Sequence, residues 1–292
     1  MPTDATAGPL PTPPPPIKLV RIVVPRHAAL VRINHWINAI SLFLLLMSGL
    51  QIFNAHPALY WGQKSTFASP WLSMTGEADK AGGLRGYTQV GPLKVETTGV
   101  LGVSKFNGVD EARGFPQWVT IPADRKLTVA RRWHFFFAWF FGLNGLVYLL
   151  SSIFGGHLKR DLAMTGKDVK NLPKDFVEHA TLRFHKGWAA TRYGPLQKLA
   201  YVTTAFIALP LIVLTGMTMS PGLNAAFPLL LDIFGGRQSA RSIHFLCAMF
   251  IIAFIIVHLV MVLLTGPINQ VRAMITGKFA ITVDERDKEA PQ

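Results

Sequence analysis

The chain has 292 residues, of which 50% are hydrophobic and only 15% charged. That balance excludes an ordinary soluble domain and points to a membrane protein. The formal net charge of +13 raises nucleic acid as a partner, but the Lys and Arg residues sit between long apolar runs instead of along one stripe. They read as topology signals and contacts to membrane lipid, and no nucleic-acid partner is expected.

Residues 1–26 hold a proline run and no apolar signal core, and they are expected to form a proline-rich cytoplasmic arm, extended where the prolines cluster. Four apolar runs follow, at 33–53, 133–154, 199–220 and 243–265. Each has the roughly 20 residues that a helix needs to cross a bilayer. A backbone in lipid must satisfy its own hydrogen bonds, so all four are expected to be helices, with Pro210 kinking the third. The predicted fold is an all-α integral membrane protein, a four-transmembrane-helix bundle over residues 27–280, ending in a cytoplasmic tail at 281–292. No internal repeat is evident.

The connection 155–198 carries nine Lys and Arg residues, whereas 221–239 carries only Arg237. The positive-inside rule then places 155–198 and both termini in the cytoplasm, and a multi-pass protein of a bacterial inner membrane is expected. Residues 54–132 become a long extracytoplasmic loop between helices one and two. Its length and its Trp61, Trp71 and Trp118 predict an ordered cap, with a hairpin within "GPLKVETTGVLGVSKFNG", residues 91–108. The single cysteine, Cys247, lies in the fourth apolar run, so neither a disulfide framework nor a CxxC metal motif exists.

Four of the nine histidines fall in the apolar runs or at their ends: His35, His134, His244 and His258. An ionisable side chain in a membrane span marks a functional site by default. His244 and His258 are fourteen residues apart on one run, which is about 21 Å and nearly four turns of helix. His35 starts run one at the inner level and His134 starts run two at the outer level. The levels therefore pair His35 with His258 inside and His134 with His244 outside. Two imidazoles per level are what the iron of a six-coordinate haem requires, while zinc wants four closer ligands. Two b-type haems are expected, and run three, which lacks histidine, is expected to hold neither iron. Arg32, Arg131, Arg132 and Arg241 flank the histidines and are candidates to pair with haem propionates. Gly49, Gly142 and Gly145 are candidates to make room for the macrocycle.

"RINHW" opening run one, "RRWHF" opening run two and the His-x13-His of run four give the chain a further likeness. Over roughly residues 20–280 it resembles the bacterial di-haem cytochrome b membrane subunits of formate dehydrogenase, nickel-iron hydrogenase and, above all, thiosulfate reductase-type complexes. The resemblance implies that these four histidines ligate two haems. It also implies that the subunit anchors an extracytoplasmic redox protein of the molybdopterin-dependent oxidoreductase class and exchanges electrons with menaquinone or ubiquinone. The long outer loop and the proline-rich arm depart from that pattern. Quinone chemistry moves protons, so His185, Lys186 and Asn34, with His179 nearby, are candidates at a quinone pocket. A self-contained haem b quinone oxidoreductase, acting on superoxide or ferric iron, is the alternative.

Overall fold

The computed structural model describes residues 18–80, 82–184 and 186–289. The proline run and His185 lie outside the described residues. In chain order the elements begin with β1 (Leu19–Pro25) and α1 (Ala29–Phe53). The cap strands follow: β2 (Ala58–Leu59), β3 (Leu72–Ala78), β4 (Leu84–Val90), β5 (Leu93–Glu96), β6 (Val103–Phe106) and β7 (Val109–Ala112). Next come α2 (Leu127–Phe154), α3 (Gly166–Ala180), α4 (Pro195–Val202), α5 (Leu209–Met219), α6 (Pro221–Ala226) and α7 (Leu229–Ile233). The chain closes with α8 (Arg237–Leu264), α9 (Pro267–Thr276) and β8 (Lys278–Asp284).

Among the described residues four helices are long and apolar enough to cross a membrane: Ala29–Phe53, Leu127–Phe154, Gly187–Met219 and Arg237–Leu264. Their burial is inverted relative to a soluble bundle. Large apolar side chains such as Ile40, Phe140, Ile256 and Leu263 face outward. The buried positions of α1 include Asn34, Ser41, Ser48 and Gln51, and those of α8 include Ser239, Ala240 and Ser242. Lipid is as apolar as leucine, so small and polar residues serve as the helix contacts and the large ones solvate the outside. α1 packs on α2 and α5 packs on α8, two helix pairs around a shared interior.

The third span is composite. A π-helical turn, Thr203–Ala208, joins α4 to α5 immediately before Pro210. Proline cannot donate into the helix ladder and crowds the carbonyl four residues back, and a widened turn absorbs both effects. The kink expected at Pro210 takes this form.

Residues 54–126 fold into a cap, and here the all-α expectation is corrected. An antiparallel sheet runs β2-β3-β4-β5, and β6 pairs with β7 beside it. The expected hairpin within 91–108 is also corrected, because β5 pairs back to β4 and β6 pairs forward to β7. The segment between them crosses the sheet: a Cβ on Gly102, at φ +77, would sit 2.6 Å from Thr75 O and 2.8 Å from Tyr87 N. Only glycine permits that approach. The β6–β7 turn has both central residues, Asn107 and Gly108, at positive φ, as a two-residue hairpin demands.

The cap is fastened to the bundle in two places. Leu59, Leu72 and Met74 pack on Phe53 at the end of α1, with Trp71, Phe115 and Phe245 around them. Arg113, 1% exposed, donates to Phe115 O (2.8 Å), Ala123 O (3.1 Å), Thr120 Oγ1 (3.2 Å) and Gln51 Oε1 (3.4 Å). Burial lowers its pKa, with Glu111 opposing that shift. The 56–62 segment clamps the start of α8: Gly62 O accepts from Gln238 N and Ser239 N, satisfying orphan amides of the helix N-terminus.

At the opposite end β1 pairs antiparallel with β8, from Leu19↔Asp284 to Pro25↔Lys278. Phe279, Ile281 and Val283 alternate inward onto Val20, Ile22, Val24, Ala273 and Trp188, the period-two pattern of a strand with one buried face. The end of the expected arm and the start of the expected tail thus form one ribbon.

Candidate functional site

A cavity of about 2380 Å³ with mostly apolar walls runs between the spans, lined by all four of the singled-out histidines. That is more than twice the upper end of the roughly 300–1,000 Å³ of an ordinary ligand pocket.

At the cap side His134 of α2 faces His244 of α8, their ring centroids 6.2 Å apart and their planes at 62°. At the ribbon side His35 of α1 faces His258 of α8, 6.4 Å apart at 54°. An imidazole nitrogen sits about 2 Å from a bound transition metal, so two such bonds plus two half-rings place the centroids roughly 6 Å apart across one metal atom. Both separations meet that value. Among the described residues no group of three or more His, Cys, Asp and Glu is placed to hold a metal ion. Two facing imidazoles without further protein ligands would suit a haem iron, whose macrocycle would supply the remaining donors.

The cap-side rings are oriented by their Nδ1 atoms. His134 Nδ1 lies 3.1 Å from Leu45 O and 3.2 Å from Ser48 Oγ. A carbonyl only accepts, so Nδ1 carries the proton, and Ser48 directs its own proton to Leu44 O at 2.6 Å. His244 Nδ1 lies 2.9 Å from Ile212 O and 3.2 Å from Thr215 Oγ1, and Thr215 donates to Leu211 O at 2.7 Å. Both rings therefore keep Nε2 as the free lone pair. The ribbon-side rings lack such partners. His35 Nδ1 is buried without a hydrogen-bond partner, and the ring stands edge-on to Trp36. His258 stacks on Phe254, 5.8 Å between centroids.

The flanking arginines divide. Arg131 and Arg241 line the cavity. Arg131 lies over the Phe135 ring, and Arg241 donates to Ala58 O (3.0 Å) and His56 O (2.6 Å) in the cap segment. Arg132 and Arg32 do not line it, which corrects their expected place. Arg132 is exposed on the outer face of α2. Arg32 donates to Ile275 O near the end of α9 and lies against Gly277. Gly49 lines the cavity at the cap-side level and backs the His134 ring, since a Cβ there would come 3.3 Å from Cε1. Gly142 and Gly145 line the cavity with nothing within 4 Å of an added Cβ.

Of the quinone candidates, Asn34 is 3% exposed and lines the cavity with Oδ1 unpartnered, while its Nδ2 donates to Leu30 O. Asn144 of α2 donates to Asn34 O and Asn38 Oδ1. Lys186 and His179 line the same cavity, and His179 Nδ1 donates to Asp175 O at 2.8 Å.

The sequence reading missed two sets of residues. Arg26 lines the cavity at the ribbon side with Nε and Nη1 buried and unpartnered, and burial lowers its pKa. Such an orphaned guanidinium fits an acidic or carbonyl group of a bound molecule. Beside it His27 is pushed down to about 4, first by burial and then by Arg26. The second set is Thr215 and Gly216 of the third span. Gly216 sits behind His244 as Gly49 sits behind His134, with the same 3.3 Å from an added Cβ to Cε1. The third span therefore positions one of the four imidazoles although it carries no histidine. A Ser-Gly at 48–49 and a Thr-Gly at 215–216 were the available signal.

The family model of the prokaryotic cytochrome b561 matches residues 26–277. The chain belongs to that family. It is a membrane electron-transfer protein of the cytochrome b class, and the family implies b-type haem. The chain is also 26% identical over 257 residues to the putative protein-methionine-sulfoxide reductase subunit YedZ1 of Azospira oryzae, covering 86% of this chain and 96% of that one. No solved structure matches. These likenesses support a cytochrome b family without singling out the thiosulfate reductase type.

Proposed function

We propose that the chain is the membrane subunit of a two-component oxidoreductase that carries two b-type haems and exchanges electrons between a redox partner at the cap side and the membrane quinone pool. The observation that carries this reading is the pair of facing imidazoles at each of two levels, at 6.2 and 6.4 Å. His134 and His244 would hold one iron and His35 and His258 the other. Haem b bound there supplies one-electron redox chemistry. The protein's part is to fix the imidazoles, exclude water with its apolar walls and offer cations at the ends: Arg131 and Arg241 at the cap side, Arg26 at the ribbon side.

The nine basic residues of 155–198 support a cytoplasmic ribbon side and a cap on the outer side. A partner docked on the cap suits an extracytoplasmic oxidoreductase of the molybdopterin class, and the reductase-subunit name of the Azospira relative agrees with a separate catalytic partner. Quinone is assigned to the ribbon-side end of the cavity. There Asn34 Oδ1 is free to accept, and Lys186 and His179 stand at the rim to move protons.

The test is His258→Ala in the purified chain. The expected result is loss of one b-type haem with the other retained. Loss of neither, or of both with the fold intact, contradicts the assignment. Co-purification from native membranes identifies the partner, and consistent absence of any extracytoplasmic redox protein, with quinone reduction retained, overturns the two-component reading.

A further inference from the structure

The two imidazole pairs are held by different chemistry, and we infer that Ser48 and Thr215 are positioning residues that make the cap-side pair the stronger electron donor, so that this level has the lower reduction potential. The inference rests on the two-haem reading.

Spans one and three carry the matching stretches "LLLMSG", residues 44–49, and "LIVLTG", residues 211–216. Each places a carbonyl, a hydroxyl and a glycine at the same offsets against one imidazole. The glycine lets the ring lie close to the helix backbone, with Cε1 only 3.3 Å from where a Cβ would stand. The carbonyl one turn earlier then accepts from Nδ1, at 3.1 Å for His134 and 2.9 Å for His244. The hydroxyl is a second acceptor at 3.2 Å in both cases. Its own proton is committed to the preceding carbonyl, Leu44 O or Leu211 O, so it cannot reverse roles and donate to the ring. The repeat therefore relates α1 with α2 to α5 with α8 at the cap-side level.

The ribbon-side level breaks the repeat. Both histidines of that level sit on α1 and α8, and the position of α2 that corresponds to His258, fourteen residues after its cap-side histidine, is Tyr148. Neither His35 nor His258 donates Nδ1–H to a carbonyl or hydroxyl among the described residues. Their neighbours are the Trp36 edge and the Phe254 face.

An imidazole that donates Nδ1–H to a strong acceptor gains electron density at Nε2. A ligand of that kind favours the ferric over the ferrous ion and lowers the potential. Two such donors act on the cap-side iron and none on the ribbon-side iron.

The experiment is potentiometric titration of the b-type α-band in the purified full chain with its haems bound. His258→Ala and, independently, His35→Ala assign the components by removing the ribbon-side one. Two components are expected in the unaltered protein, the lower of which survives either substitution. In Ser48→Ala/Thr215→Val each ring keeps one of its two acceptors. The lower component should rise toward the upper one, which stays in place, and Ser48→Thr/Thr215→Ser should restore it. If the surviving component is the higher one, or if the double variant keeps both haems with the lower potential unmoved, the inference fails while the two-haem reading stands. A single component with one haem per chain overturns both.

Discussion

Gly216→Ala tests whether the third span truly seats a histidine. Two effects oppose each other. Replacing a helical glycine by alanine gains about 1 kcal/mol in backbone propensity. Against that, the new Cβ meets His244 Cε1 at 3.3 Å and Nδ1 at 3.6 Å, where carbon pairs rest at about 3.5–4.0 Å. The ring must move by a few tenths of an ångström, and the movement lengthens the 2.9 Å bond to Ile212 O. Overpacking of this kind costs about 1–3 kcal/mol, and weakening a buried hydrogen bond adds to it. The steric effect wins, with a net destabilisation of about 1–2 kcal/mol. Gly222 on α6 is the control, because nothing lies within 4 Å of its added Cβ and only the propensity gain applies. The assay is thermal unfolding of both variants in one detergent, with haem absorbance followed in the same samples. A Gly216→Ala protein as stable as the Gly222→Ala protein, with unchanged absorbance, refutes the reasoning.

Three further outcomes are expected. Arg113→Ala removes a buried guanidinium from its four hydrogen-bond acceptors and should cost about 3–5 kcal/mol, read as rapid proteolysis within 54–126, while an Arg113→Ala cap as resistant as the parent's contradicts its fastening role. Asn144→Leu loses the bonds to Asn34 O and Asn38 Oδ1, yet inter-helix hydrogen bonds in membranes average only about 0.6 kcal/mol. Its melting point should fall slightly, and a loss above about 2 kcal/mol would show the pair to be more than helix contact. His27 is held at about 4 against an ordinary 6.5, so the folded chain binds fewer protons there than the unfolded one. Its contribution is full above pH 6.5 and declines as pH falls from 6.5 toward 4. Stability measured at pH 7.5 and pH 5 should show that slope, and His27→Gln should flatten it.

The four spans were legible because apolar run length maps directly onto bilayer thickness, and the level-matching of His35, His134, His244 and His258 because helix rise converts sequence separation into depth. What escaped was held by backbone. Leu45 O and Ile212 O leave no mark in a sequence, so Thr215 and Gly216 looked like ordinary small residues of a histidine-free span. The alternation in "LVRIVVP" and "KFAITVD" is that of a strand, but their partners are some 260 residues apart, and nothing local announces such a pairing. Arg26 was read as a topology charge and Arg32 as a propionate partner. The turn between β1 and α1 places the first at the cavity, and the bond to Ile275 O holds the second against α9.

The account rests on two haem levels, and the most direct measurement is the ratio of extracted haem b to protein in the purified full chain, checked against its reduced-minus-oxidised spectrum. Two haems b per chain are predicted, falling to one in His258→Ala. One haem or none in the unaltered chain would contradict the pairing of His134 with His244 and His35 with His258.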